Sequence, residues 1–150
     1  MDKFSQVRQA HRVCAAFYQH MFPMLNHVAE RLNMKFILWD TWSFLKPPRK
    51  SVNPLTTWSW DYLLMMDVSF VFGKQANEKG KPESQDFVLD FQLIVDSELE
   101  YDIRIEQYGN NVEPKACQLK KSANKTKRYL AIYLFNVSKN NGDYSSLEEI

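Results

Sequence analysis

Positions Phe4, Val7, His11, Cys14, Tyr18, Met21, Leu25, Val28 and Leu32 recur at alternating intervals of three and four, and all but one are apolar or weakly polar. At 3.6 residues per turn these nine positions fall on one stripe, which predicts a long amphipathic N-terminal helix. Asp2 or Ser5 is placed to cap its start and Asn33 its end. Pro23 lies off the stripe but inside the helix, where it removes the bond its N–H would make to Gln19, so a kink or a division into two helices is expected. The flanks lack the regular Glu/Lys pairing of a coiled-coil seam. A helix lying on a sheet is the favoured reading.

After Asn33 the period shortens to two. Met34, Phe36, Leu38, Trp42 and Phe44 share one face of a predicted strand over 34–45. Residues 46–54 hold three prolines and read as a loop, and 55–61 as one helical turn at most. Over 62–72, Tyr62, Leu64, Met66, Val68, Phe70 and Phe72 lie opposite Asp67 and Ser69. A polar loop over 73–85 follows. Phe87, Leu89, Phe91, Leu93 and Val95 then lie opposite Asp90, Gln92 and Asp96. Leu99, Tyr101, Ile103 and Ile105 repeat the alternation, and a tight turn near 96–98 would join the two runs as a hairpin. Residues 110–128 read as irregular. Residues 129–137 are apolar at both parities, the pattern of a central or doubly covered strand, and 138–150 read as a polar, flexible tail.

These elements predict a single α+β domain over 1–150, in which a long helix packs on a curved, mainly antiparallel sheet of about five strands. Five strands at about 4.8 Å spacing span roughly 20 Å, whereas one helix with its side chains is about 10–12 Å wide. The remaining width calls for curvature, for a second copy or for a bound partner. An outer face carrying Ile37, Trp39, Leu63, Met65, Val71, Val88 and Ile94 beside its acids favours a homodimer.

Composition changes this picture little. With 45% apolar residues and few glycines, the chain has the make-up of a globular protein. Neither a secretory h-region nor an apolar run of membrane-spanning length occurs, so a cytoplasmic protein without membrane association is expected. Cys14 and Cys117 are too few for a disulfide framework and are expected as reduced, buried thiols. Charge is segregated: residues 87–108 hold one arginine against six acids, and 109–128 hold six bases against Glu113. The basic run is expected to fold back on the acidic strands, with an exposed anion-binding patch as the alternative.

Candidate chemistry is sparse. Gly73, Gly80, Gly109 and Gly142 are scattered and build neither a phosphate loop nor a dinucleotide fingerprint. No nucleophile elbow is present. His20 and His27, about 10.5 Å apart along a helix, cannot jointly hold one ion without further ligands, and His11 reads as a partly buried core residue. Asp67 and Asp90 on neighbouring strands could hold Mg²⁺, but the lysine that nuclease-like sites add is missing. Asp40 shares its face with Leu38 and Trp42 and must be paired, marginal or functional.

The clearest feature is a proline loop bracketed by tryptophans. Trp39, Trp42, Trp58 and Trp60 accompany Lys46, Arg49 and Lys50, a mixture found at protein-binding hot spots. A local core beneath the loop is the competing reading. The expectation is therefore a non-enzymatic module that binds a protein partner through this aromatic and basic surface, without a cofactor. One alternative is a ligand-binding or hydrolytic fold with an apolar pocket lined by Tyr18, Met21, Met66 and Phe91, with Asp40 or His20 supplying polarity. The other is nucleic-acid binding through Lys115, Lys120, Lys121, Lys125, Lys127 and Arg128; no aromatic interrupts that run, so base stacking from it is not indicated.

Overall fold

A computed structural model describes residues 2–51, 53–63, 66–74 and 87–136. The chain forms two compact units, Met1–Lys35 and Phe36–Ile150. The loop expected over 73–85 lies almost wholly outside the described residues, as does the tail expected over 138–150.

The first unit is the predicted helix. Helix α1 runs from Lys3 to Arg31 and carries Pro23 without being divided by it. The Asp2 carboxylate accepts the Ser5 N–H at 2.9 Å and so caps the first turn. At the other end Leu32 is the cap residue, and Asn33 follows in the left-handed region at φ 54°, a conformation asparagine tolerates better than most residues. Burial along the stripe is uneven. Leu25 is buried together with Ala29, one turn on, whereas Phe4, Val7 and Cys14 are exposed. His11 is likewise exposed rather than partly buried.

The second unit holds a four-stranded antiparallel sheet in the order β1-β2-β3-β4. Its strands are β1 (Lys35–Thr41), β2 (Asp67–Gly73), β3 (Phe87–Ile94) and β4 (Tyr129–Asn136). The architecture is α+β as expected, with four strands rather than about five. In the β2–β3 register Val68 faces Leu93, Phe70 faces Phe91 and Phe72 faces Leu89. All six side chains are buried on one face, as the alternation predicted.

The strand expected at 99–105 is a helix. Helix α2 spans Tyr101–Tyr108, and its first turn is stabilised from outside, by the Asp67 carboxylate accepting the Tyr101 N–H at 3.1 Å. Tyr101 and Ile105 satisfy either period, while Tyr108 fits only the helical one; the cap from a distant strand accompanies the helix. Gly109, at φ 96°, ends it, and its N–H returns to the Ile105 carbonyl at 2.8 Å.

Without a strand at 99–105, the neighbour of β3 is β4, and this reverses a second expectation. Rather than central or doubly covered, β4 lies at the sheet edge among the described residues. Its approach is secured where the Ser97 N–H donates to the Lys127 carbonyl at 2.9 Å and the Lys127 N–H returns to Ser97 Oγ at 3.0 Å.

Candidate interaction surface

Beside the sheet, the loop between β1 and β2 builds a small core of its own. Phe44, Trp60 and Leu99 form it, with Trp58, Met66 and Leu119 packed around them. The Phe44 and Trp60 rings stack at 5.6 Å. Trp60 Nε1 donates to the Pro114 carbonyl at 2.6 Å, and the Ser59 N–H donates to the Glu113 carboxylate. These bonds hold the 113–114 turn against the 3-10 turn Ser59–Tyr62. Trp60 is therefore buried and Trp58 half-buried.

The structure thus divides the seven residues of the tryptophan-bracketed surface. Trp42, Lys46, Arg49 and Lys50 are exposed and Trp39 is half-buried. Lys46 Nζ lies 4.8 Å from the centre of the Trp39 ring, donates to the Trp39 carbonyl at 3.1 Å and pairs with Asp40 at 3.2 Å. Asp40 is accordingly an exposed, paired carboxylate. Between Trp60 and Met66 the described residues line a cavity of about 10 Å³, also touched by Thr41, Phe44, Leu45, Leu63 and Asp67. That volume is about one water. Of the residues proposed to line an apolar pocket, Phe91 is buried in the sheet and Met66 packs on the loop core.

Two buried ions in this unit were not legible in the sequence. The Glu98 carboxylate is fully buried and accepts the N–H groups of Lys120 at 2.5 Å and Lys121 at 2.8 Å, together with the Tyr108 hydroxyl. Burial alone would raise its pKa, but the bonds from Tyr108, Lys121 and Lys120 outweigh burial and hold it below the usual glutamate range. Arg104 is only 3% exposed. Its Nε donates to Ser43 Oγ at 3.2 Å, and its guanidinium carbon lies 5.4 Å from the Phe44 ring centre and 5.9 Å from those of Trp58 and Tyr101. Nη1 has no hydrogen-bond partner, and among the described residues no carboxylate pairs with Arg104. Three ring faces replace a counter-ion. Desolvation lowers its pKa.

The acids suspected of catalysis are dispersed by the register. Asp67 faces Ile94 and Asp90 faces Val71, four residues apart along the ladder. Burial raises the pKa of both. Asp67 is occupied by Gln92 Nε2 at 2.9 Å and by the Tyr101 N–H. Asp90 closes a chain in which Trp42 Nε1 donates to Ser69 Oγ at 2.8 Å and the Ser69 hydroxyl donates to Asp90 Oδ2 at 3.1 Å, leaving Oδ1 without a partner. Among the described residues no three His, Cys, Asp or Glu side chains gather in a way that could hold a metal ion. Cys14 on α1 and Cys117 in the short 3-10 turn Ala116–Gln118 are free, and both are exposed rather than buried.

The basic run folds against Glu98 through its backbone rather than its side chains. Lys120 Nζ reaches the Gln107 carbonyl at 3.2 Å and lies 5.4 Å from the Tyr108 ring centre. Lys115, Lys121, Lys125, Lys127 and Arg128 are exposed, and among the described residues their side chains form no ion pair.

Among the described residues of the second unit, β4 exposes a run of large apolar and aromatic side chains. Ile132 and Leu134, each 60% exposed, share the face of Phe91 and Leu89, while Tyr133 and Phe135 share the opposite face with Asp90 and Val88. On that second face the exposed Trp42, bonded to Ser69 on β2, and Tyr133 on β4 flank the buried Ser69–Asp90 pair. The signal in the sequence was the absence of charged positions in 129–136, which a central strand and an edge strand share. Only the strand order separates them.

A family model described as PM0109 matches residues 1–147, and the chain belongs to the PM0109 family. No curated protein and no solved structure matches it. Among the described residues no helix is long and apolar enough to cross a membrane.

Proposed function

We propose that this protein is a non-enzymatic protein-binding module that takes an extended polypeptide strand against β4. One observation carries the reading: an eight-residue edge strand with no charged residue and no proline exposes apolar side chains on both of its faces. Edge strands are ordinarily protected by charge, by proline or by shortness. An added strand would take up the free main-chain groups of β4 while its own alternating side chains covered Ile132 and Leu134 on one face and Tyr133 and Phe135 on the other. Trp42, bonded to Ser69 on β2, lies on the second face, while Lys46, beside Trp39 and Asp40 of β1, belongs to the opposite margin of the sheet.

Selection of random peptides displayed on phage tests this. Peptides with alternating apolar residues should be enriched on the wild-type protein and lost on an Ile132→Lys/Leu134→Lys variant. Equal enrichment on both proteins would remove β4 as the binding surface. A second reading, anion or nucleic-acid binding, is favoured by the exposure of Lys115, Lys121, Lys125, Lys127 and Arg128, which form no ion pair among the described residues. It predicts that a labelled single-stranded oligonucleotide binds at low salt with an affinity that falls steeply as salt is added. No binding at low salt excludes it.

A further inference from the structure

We infer that the strand added to β4 is β4 of a second copy of this chain, paired antiparallel about a twofold axis at Ile132. The inference rests on the strand-addition reading and names its partner. Its first support is a contrast between the two edges of the sheet. Edge strand β1 begins at Lys35 and carries Asp40, charges that discourage pairing, whereas β4 carries none. A second copy therefore has one edge open to it.

The second support is self-complementarity. A twofold axis perpendicular to the sheet keeps each face continuous with the same face of the partner, so residues of equal parity meet. Centred on Ile132, the pairing sets Tyr129 opposite the partner's Phe135, Leu130 opposite the partner's Leu134, Ala131 opposite the partner's Tyr133, and Ile132 opposite the partner's Ile132. None of these pairs brings a charged side chain into the seam, and the largest side chains meet a small or a flat one. Moving the axis to Ala131 brings Arg128 opposite Leu134. Moving it to Tyr133 brings Leu130 opposite Asn136.

Charge supplies the third support. Each β4 follows directly on Lys125, Lys127 and Arg128. Parallel pairing would bring the two basic segments side by side, whereas antiparallel pairing about Ile132 keeps the two Arg128 residues eight positions apart, roughly 27 Å at the strand rise. The result is a continuous eight-stranded sheet bounded by the charged β1 strands.

The register makes the test specific. Residues directly opposite in an antiparallel pair lie about 4.5–5.5 Å apart at Cα, within reach of a disulfide. In a Cys14→Ser/Cys117→Ser background, Ile132→Cys should form a covalent dimer under mild oxidant. Leu134→Cys, equally exposed, should not, because its own copy is four residues along the partner strand. Sedimentation equilibrium should show a dimer at tens of micromolar for the wild type and a monomer for Ile132→Lys, with unchanged far-UV circular dichroism. A wild-type monomer at that concentration overturns the second copy as occupant. Equal cross-linking at 132 and 134 overturns the register. Neither result touches the strand-addition reading, which stands or falls on the peptide selection.

Discussion

Strands β3 and β4 are neighbours of equal length, eight residues each, and both are dominated by apolar side chains, yet they meet opposite fates. Phe91 in β3 is 1% exposed, while Ile132, directly opposite it in β4, is 60% exposed. Polarity does not explain the difference. If anything β3 is the more polar, since it holds Asp90 and Gln92 where β4 holds Tyr133 and Ala131. Strand order explains it: β3 has a strand on each side, and the segment after it forms α2 instead of a further strand. The lesson is that an apolar strand at an edge is a surface awaiting a partner, and that a buried carboxylate can mark the interior of a sheet.

The strongest way to break this comparison is to empty the buried position. Phe91→Ala should cost about 3–5 kcal/mol, from lost burial and the cavity left behind. Urea denaturation at protein concentrations low enough to keep the chain monomeric measures it. A cost below that of an ordinary surface change would contradict the placement of β3.

Next in size is the connection that returns the chain to β4. Glu98→Gln replaces a carboxylate that serves Lys120, Lys121 and Tyr108, and should cost about 2 kcal/mol at neutral pH. The sign of its pH dependence follows from the lowered folded pKa. The stabilisation is complete above the unfolded value and disappears as pH falls through the folded one. The gap in urea midpoint between wild type and variant should therefore close on acidification. A gap that stays constant would mean that the ionised carboxylate is not what holds the segment.

Asp90 has the opposite sign. Burial raises its folded pKa, so its ionised form is a burden at neutral pH that vanishes as pH falls through that raised value. Asp90→Asn, which keeps an acceptor for the Ser69 hydroxyl, should stabilise the protein by about 1 kcal/mol at neutral pH. That advantage should shrink towards acid pH. A variant less stable than wild type at neutral pH would show that the charge is needed at this site.

The smallest effect belongs to the other half of the comparison. Ile132→Ala should change the stability of the monomer by no more than about 0.5 kcal/mol. A loss approaching that of Phe91→Ala would show that β4 is already covered within one chain.

Much of the scaffold was legible because it depends on local periodicity. The stripe from Phe4 to Leu32 marks α1, and the alternations around Phe70 and Phe91 mark β2 and β3 with the correct faces. Asn33 was legible as a helix-ending position because few residues adopt positive φ. The candidate surface was legible only in outline. Trp42 emerged exposed, but Trp60 found Phe44 and the Pro114 carbonyl, contacts made across 16 and 54 residues that no local pattern announces.

What the sequence by itself determined, then, is that α1 is helical, that β2 and β3 are extended, and which side of each strand is apolar, since these follow from spacing along a single stretch of chain. Three things were decided only by tertiary structure. One is that 101–108 coils, because a carboxylate from β2 caps it. Another is that Glu98 and Arg104 are buried, because a loop supplies N–H groups to the one and ring faces to the other. The last is that β4 is an edge, because the order of strands is a property of the whole sheet, and the same uncharged run of residues suits either position within it.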